Sequence, residues 1–264
     1  MRFERVADIT VQCTLEGAAD RPVLVFVNSL GTDFRSWDEL LPLLGDGFRF
    51  LLYDKRGHGL SDATPGPYSI DLLANDLAAL LDCLAVPQAL VCGLSVGGMI
   101  AQRLAVLRPD LVRGLVLCNT GQRMGTPDMW AQRIETIRAG GIETLAEPIL
   151  ERWFSPTFRA SQRVALAGWR NMLVRTPVEG YLATCAAIRD ADLSDSTSTL
   201  RLPTLCVAGS EDGAAPPEQV RSLAALIVGA RYHEIEGVGH LPCIEAPTQL
   251  ASAMRQFFQE ADLV

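Results

Sequence analysis

Short apolar runs recur along the first half of the chain. Residues 22–28 (Pro-Val-Leu-Val-Phe-Val-Asn) and 48–54 (Phe-Arg-Phe-Leu-Leu-Tyr-Asp) each close on a turn-forming residue, and residues 89–93 and 111–119 are two more runs of the same kind. A short, largely unbroken apolar run bounded by turn residues reads as a strand buried on both faces. Longer segments with helical spacing lie between them. In 71–84 the apolar positions are Leu72, Leu73, Leu77, Leu80, Leu81 and Leu84, and 98–107 is an apolar helix containing alanine. Strands alternating with helices predict right-handed crossovers and a mostly parallel sheet flanked by helices, an α/β fold.

After Asn119 the rhythm changes. From residue 121 to about 195 the pattern is helical only, with segments at 129–139, 142–154, 157–174 and 178–188 and stops at Gly140-Gly141 and Ser155-Pro156. Strand-like runs resume at 204–209 and 230–235, and a closing helix is expected over 248–259. The expected organisation is therefore an α/β core made of residues 1–121 and 195–264, with an inserted all-helical cap at 122–194. A length of 264 residues suits one such core carrying an insertion.

Composition narrows the partners. With 48% hydrophobic and 20% charged residues the chain is an ordinary globular sequence, and a net charge of -8 argues against nucleic acid or an anionic membrane surface as partner. A small molecule is expected instead. The first residues carry charges at Arg2, Glu4, Arg5 and Asp8 and lack the apolar stretch of a signal peptide, and no later window is apolar over a membrane-spanning length. A soluble, cytoplasmic protein is the expectation. Seven scattered cysteines without a C-x-x-C pair read as buried free thiols, with no disulfide and no metal site. Lys55 is the single lysine among 23 basic residues.

The chemistry centres on Gly93-Leu94-Ser95-Val96-Gly97, a G-x-S-x-G pattern with a predicted strand before it and a predicted helix after it. On that tight turn a serine hydroxyl points out of the sheet, which makes Ser95 the candidate nucleophile. A serine needs a base, and there are three histidines. His58 lies in a turn after the second run, where a structural role is expected, and His233 alternates with apolar neighbours along a strand. His240, in the loop Gly237-Val238-Gly239-His240 after the last strand, stands where parallel-sheet folds place reactive groups. For the acid that orients this histidine, Asp212 follows the strand at 204–209 and Glu211 is its rival; Asn119 carries no charge and is set aside. Asp190, Asp192 and Asp195 are expected to solvate a helix end. Backbone N–H donors for an oxyanion are expected from Val96 and from the loop Asn28-Ser29-Leu30-Gly31, with Leu30 as donor and Ser29 beside the substrate.

These features resemble the α/β-hydrolase superfamily along essentially the whole chain: the serine turn, Asp54-x-Arg56-Gly57-x-Gly59-x-Ser61, Gly209-x-x-Asp212-x-x-x-Pro216, and Gly237-x-Gly239-His240. Most such proteins have His-Gly in the oxyanion loop, whereas this chain reads Asn28-Ser29-Leu30-Gly31-Thr32. That loop, the stretch from Gly93 to Gln102, and the cap segments Arg152-Trp153-Phe154 and Gly180 to Asp190 resemble 3-oxoadipate enol-lactonases. The resemblance implies hydrolysis of an enol-lactone to 3-oxoadipate in aromatic-compound catabolism, through a Ser-His-Asp triad and an acyl-enzyme, with no metal or organic cofactor. Some members of that family are fused to a carboxymuconolactone decarboxylase domain, which a chain ending at Val264 is expected to lack.

A carboxylate-bearing lactone needs a counter-charge. Residues 122–193 hold nine arginines against eight acidic residues, so this segment is about +1 in a chain of net charge -8. Arg133, Arg138 and Arg152, near Trp130 and Trp153, are the candidate substrate contacts, since a guanidinium can grip a carboxylate with two parallel hydrogen bonds. Two other readings stay open: a carboxylesterase or carbon–carbon bond hydrolase using the same triad, and a ligand-binding receptor that keeps the fold without turnover.

Overall fold

The computed structural model describes residues 1–264. Eight strands form one sheet: β1 (Arg2–Val6), β2 (Ile9–Glu16), β3 (Val23–Val27), β4 (Arg49–Tyr53), β5 (Ala89–Leu94), β6 (Val112–Cys118), β7 (Thr204–Gly209) and β8 (Arg231–Ile235). Their order is β1-β2-β4-β3-β5-β6-β7-β8. From β4 to β8 all neighbours run parallel, and every residue of β3, β5 and β7 is buried. That burial is why these strands read as apolar runs. β1 and β2 form an antiparallel hairpin on one edge, which the periodicity did not predict.

The helices longer than four residues are α1 (Ile70–Cys83), α2 (Val96–Leu107), α3 (Pro127–Gly140), α4 (Ala146–Trp153), α5 (Pro156–Ser161), α6 (Arg163–Val174), α7 (Val178–Arg189), α8 (Pro217–Leu226) and α9 (Pro247–Glu260). Side-chain caps start several of them: Ser69 Oγ accepts from Leu72 N at 3.0 Å, and Thr126 Oγ1 accepts from Met129 N at 3.2 Å with Pro127 next in the chain. The segment predicted as one helix over 157–174 is two, broken at Gln162 (φ -111°, ψ 44°). The one predicted over 142–154 is a 3₁₀ turn at Ile142–Leu145 followed by α4.

No strand interrupts the chain between β6 and β7, and α3 packs against α7 in that stretch. The apolar core runs without a break from the sheet into this helical insert, joining Leu24, Val91 and Val116 to Trp130, Ile134, Leu173 and Tyr181. The turn after β4 is pinned by a buried ion pair: Arg56 Nε and Nη2 donate to the Asp76 carboxylate at 2.8 Å each, and Nη2 also reaches Asp8 at 2.6 Å. Removing one partner of such a pair leaves an uncompensated buried charge, at a cost of about 3–5 kcal/mol. No helix is long and apolar enough to cross a membrane. All seven cysteines are free; Cys83 is exposed and the other six are buried.

Candidate active site

Ser95, Asp212, His240 and the loop 28–32 all leave the carboxyl ends of parallel strands, where an open α/β sheet forms its crevice. Ser95 stands between β5 and α2 with φ 58° and ψ -121°, a conformation that side-chain-bearing residues rarely adopt. The flanking glycines make the turn possible. A Cβ on Gly93 would meet Gly97 O at 2.3 Å, and one on Gly97 would meet Val27 O at 2.0 Å. This close approach brings the end of β3 against the Ser95 turn. Thr120 Oγ1 donates to Ser95 O at 2.6 Å, and Ser95 N donates to Cys118 O at 3.0 Å, so the turn is tied to β6 as well.

His240 and Asp212 are paired. The imidazole Nδ1 lies 2.8 Å from Asp212 Oδ2, and both side chains are fully buried. With Nδ1–H donating to the carboxylate, Nε2 is left as the basic nitrogen. Asp212 Oδ1 accepts from Ala214 N at 2.6 Å and Ala215 N at 3.0 Å, and Oδ2 also accepts from Asn119 Nδ2 at 2.8 Å. Four donors thus fix the position of this carboxylate against the imidazole. Glu211, the rival acid, is exposed.

Ser95 and His240 line one cavity of about 40 Å³ together with Ser29, Leu30, Met124, Met129, Trp130, Arg133, Ile149, Arg152, Trp153, Tyr181 and Ile188. The helical insert therefore roofs the site. A larger open groove of about 900 Å³ between α6 and the turns after β3 and β4 contains none of Ser95, Asp212 and His240. The Leu30 N–H has no acceptor within the protein, and Val96, as first residue of α2, has no intrahelical acceptor for its own. His58 is buried behind the same loop and accepts from Gly31 N through Nε2 at 3.0 Å, and His233 is an exposed residue of β8.

Of the three arginines proposed for a carboxylate, the structure brings two to the cavity. Arg133 stacks 4.9 Å over the Trp130 ring, and Arg152 donates through Nε to Gly213 O at 2.8 Å. Neither is paired with a carboxylate, and burial and the neighbouring Arg133 charge hold the Arg152 pKa below its usual value. Arg138 does not belong to the site. Five residues beyond Arg133, it has turned about 140° around α3, so it is exposed and paired with Glu135. Trp130 and Trp153 are buried in the cavity wall, and Trp130 Nε1 donates to Met124 O at 2.7 Å.

Two positions escaped the sequence reading. Asn119, rejected as an acid, donates to Asp212 Oδ2 and, at 3.3 Å, to Gly239 O, holding the acid loop against the histidine loop. Its place at the end of β6, the same sheet edge as the other groups, was the available signal. Glu245 accepts from Gly239 N at 3.0 Å, Ser155 N at 3.2 Å and Ser155 Oγ at 2.6 Å, so one half-buried carboxylate joins the insert to the loop bearing His240. Burial raises its pKa, against the pull of those donors. The insert grips the site directly too, since His240 N donates to Trp153 O at 2.7 Å and Gly213 N donates to Arg152 O at 3.2 Å.

The α/β-hydrolase fold family model matches residues 22–247. The chain is 33% identical to 3-oxoadipate enol-lactonase 2 of Acinetobacter baylyi over 240 residues, covering 91% of this chain and 90% of that protein. Among solved structures, the enol-lactonase from Burkholderia xenovorans LB400 is 36% identical with a TM-score of 0.95, covering 98% of this chain and 100% of that one. A thermophilic esterase from Thermogutta terrifontis is 28% identical with a TM-score of 0.91, covering 99% of each chain. With the sheet order, the Ser95 turn and a family match over most of its length, this chain belongs to the α/β-hydrolase family.

Proposed function

We propose that the chain is a serine hydrolase that opens a small carboxylate-bearing enol-lactone, with 3-oxoadipate enol-lactone as its substrate, in the catabolism of aromatic compounds. Residues 1–121 and 195–264 act as the catalytic core and 122–194 as its cap. The observation that carries the reading is the presence of two arginines without carboxylate partners, Arg133 and Arg152, in the same small cavity as Ser95 and His240. The likeness to proteins named enol-lactonases supports the ring substrate.

In this reading the lactone carboxylate lies against the cap arginines, which places the ring carbonyl over Ser95. His240 Nε2 takes the Ser95 proton as Oγ attacks, and Asp212 stabilises the imidazolium that forms. The Leu30 and Val96 N–H groups receive the oxyanion. Collapse breaks the ring C–O bond and expels an enolate, which takes the proton held by His240 and becomes a ketone, so ring opening is hard to reverse; His240, neutral again, activates a water whose attack frees the acid and returns the proton to Ser95. A cavity of about 40 Å³ holds on the order of three waters. Entry of a ring therefore requires this cavity to widen.

The test compares kcat/KM for the enol-lactone with that for its methyl ester and for p-nitrophenyl acetate. The free acid is expected to be preferred by about tenfold or more. Preference for the neutral esters would move the assignment to a general carboxylesterase.

A further inference from the structure

Lys55, the chain's single lysine, is buried to 2% exposure in the turn after β4 and forms no ion pair. Its one hydrogen bond runs from Nζ to the Ser29 carbonyl at 2.6 Å. The adjacent Asp54 carboxylate is already occupied by Phe34 N and Leu60 N, and Asp33 by Arg35. An apolar side chain would fill this space without the desolvation cost of an ammonium. What the ammonium touches gives it a use. The Ser29 oxygen and the Leu30 nitrogen are the two ends of one peptide unit, and the Leu30 N–H has no acceptor in the protein while Leu30 lines the cavity.

We propose that Lys55 is a positioning residue of the oxyanion hole, polarising the Ser29–Leu30 peptide so that its N–H end binds developing negative charge more strongly. The inference rests on the reading of Leu30 as an oxyanion donor. Three donors converge on the far end of that peptide: Lys55 Nζ, Thr32 Oγ1 at 3.1 Å and Thr32 N at 3.4 Å. A bond from a charged donor is shorter and about twice as strong as a neutral one, and bonds in series strengthen one another by roughly 10–30%. The next N–H, Gly31, is held by His58 Nε2, with His58 Nδ1 facing Arg56 O at 3.3 Å. One amide of the loop is thus tied down while its neighbour stays free for substrate. Burial pushes the Lys55 ammonium down to about 7, with Asp54 and Asp33 close enough to favour its charged form.

The test is K55M, which keeps length and volume and removes the donor. With p-nitrophenyl acetate at pH 6, where Lys55 keeps its proton, kcat is expected to fall about tenfold while KM stays within twofold, since removing a whole oxyanion donor costs about 10²–10³ and this change only weakens one. Affinity for a phenylboronic acid, a tetrahedral mimic, should fall by a similar factor while affinity for the product carboxylate holds. A kcat and a boronate affinity both within twofold of the parent overturn the inference. Should K55M not fold, T32V decides: it deletes the Oγ1 bond to the same carbonyl, and a smaller loss of kcat at constant KM supports the proposal while an unchanged kcat overturns it. A parent that neither turns over the ester nor labels at Ser95 with a fluorophosphonate overturns the oxyanion reading and this inference together.

Discussion

Replacing Arg133 by glutamine separates substrate recognition from catalysis. Arg133 is the cleaner of the two cavity arginines to change, because Arg152 also holds Gly213 O beside Asp212. A hydrogen bond to a charged group contributes about 1.5–3 kcal/mol, and about 1.4 kcal/mol is a factor of ten. Arg133 is only partly buried, which places the effect at the lower end, about 10–30-fold. The loss should fall on kcat/KM for the carboxylate-bearing lactone and spare its methyl ester, so two enzymes and two substrates form a closed cycle whose coupling is the guanidinium–carboxylate interaction. R133Q should stay folded, since losing the stack on Trp130 costs about 0.5–1 kcal/mol. Steady-state rates of lactone loss, followed by absorbance, give all four values. A change in the acid-to-ester preference below twofold would refute the placement of the carboxylate at Arg133.

Other outcomes follow from the same geometry. Glu245→Ala leaves Gly239 N and Ser155 N without their acceptor, so urea unfolding should show a loss of about 3 kcal/mol and kcat should drop as the His240 loop loosens; stability within 0.5 kcal/mol of the parent contradicts the bridge. Ser95→Gly relieves the positive φ of 58° and should raise stability by about 1 kcal/mol despite abolishing activity, and a lower melting temperature would show that the turn carries no strain. Lys55 bears on pH. Between about 7, its value in the folded chain, and 10.5, the unfolded chain holds a proton that the folded chain has released, so rising pH favours folding. The stability difference between parent and K55M should move steadily in the parent's favour as the pH rises across that range. A difference independent of pH contradicts a buried lysine of depressed pKa.

The parallel strands were legible because burial on both faces writes itself as an apolar run, as in Val23–Val27 and Thr204–Gly209. The β1–β2 hairpin was not. β1 is an exposed edge strand, and its turn at Ala7 and Asp8 uses an alanine at φ 48° where an asparagine or glycine would have signalled it. α8 went unread for a related reason, since its start at Pro216-Pro217 looks like loop until one allows proline at the first helical turn. Within the site, Ser95, Asp212 and His240 could be picked out because each has a local context of strand end and glycine turn. Asn119, Glu245 and Lys55 act through contacts made by folding: Asn119 and Asp212 are 93 positions apart, and Lys55 and Ser29 are 26 apart. Local pattern carries no trace of such pairs. Arg138 was misplaced because proximity in sequence to Arg133 says nothing about the face of the helix.

Under the proposed function Ser95 opens an enol-lactone ring as a nucleophile. The most direct test is turnover of 3-oxoadipate enol-lactone by the parent and by Ser95→Ala, each shown to be folded. The parent should hydrolyse the lactone, and the variant should be slower by about 10⁴-fold or more, the scale of losing the nucleophile of a serine triad. A variant within tenfold of the parent would contradict the claim.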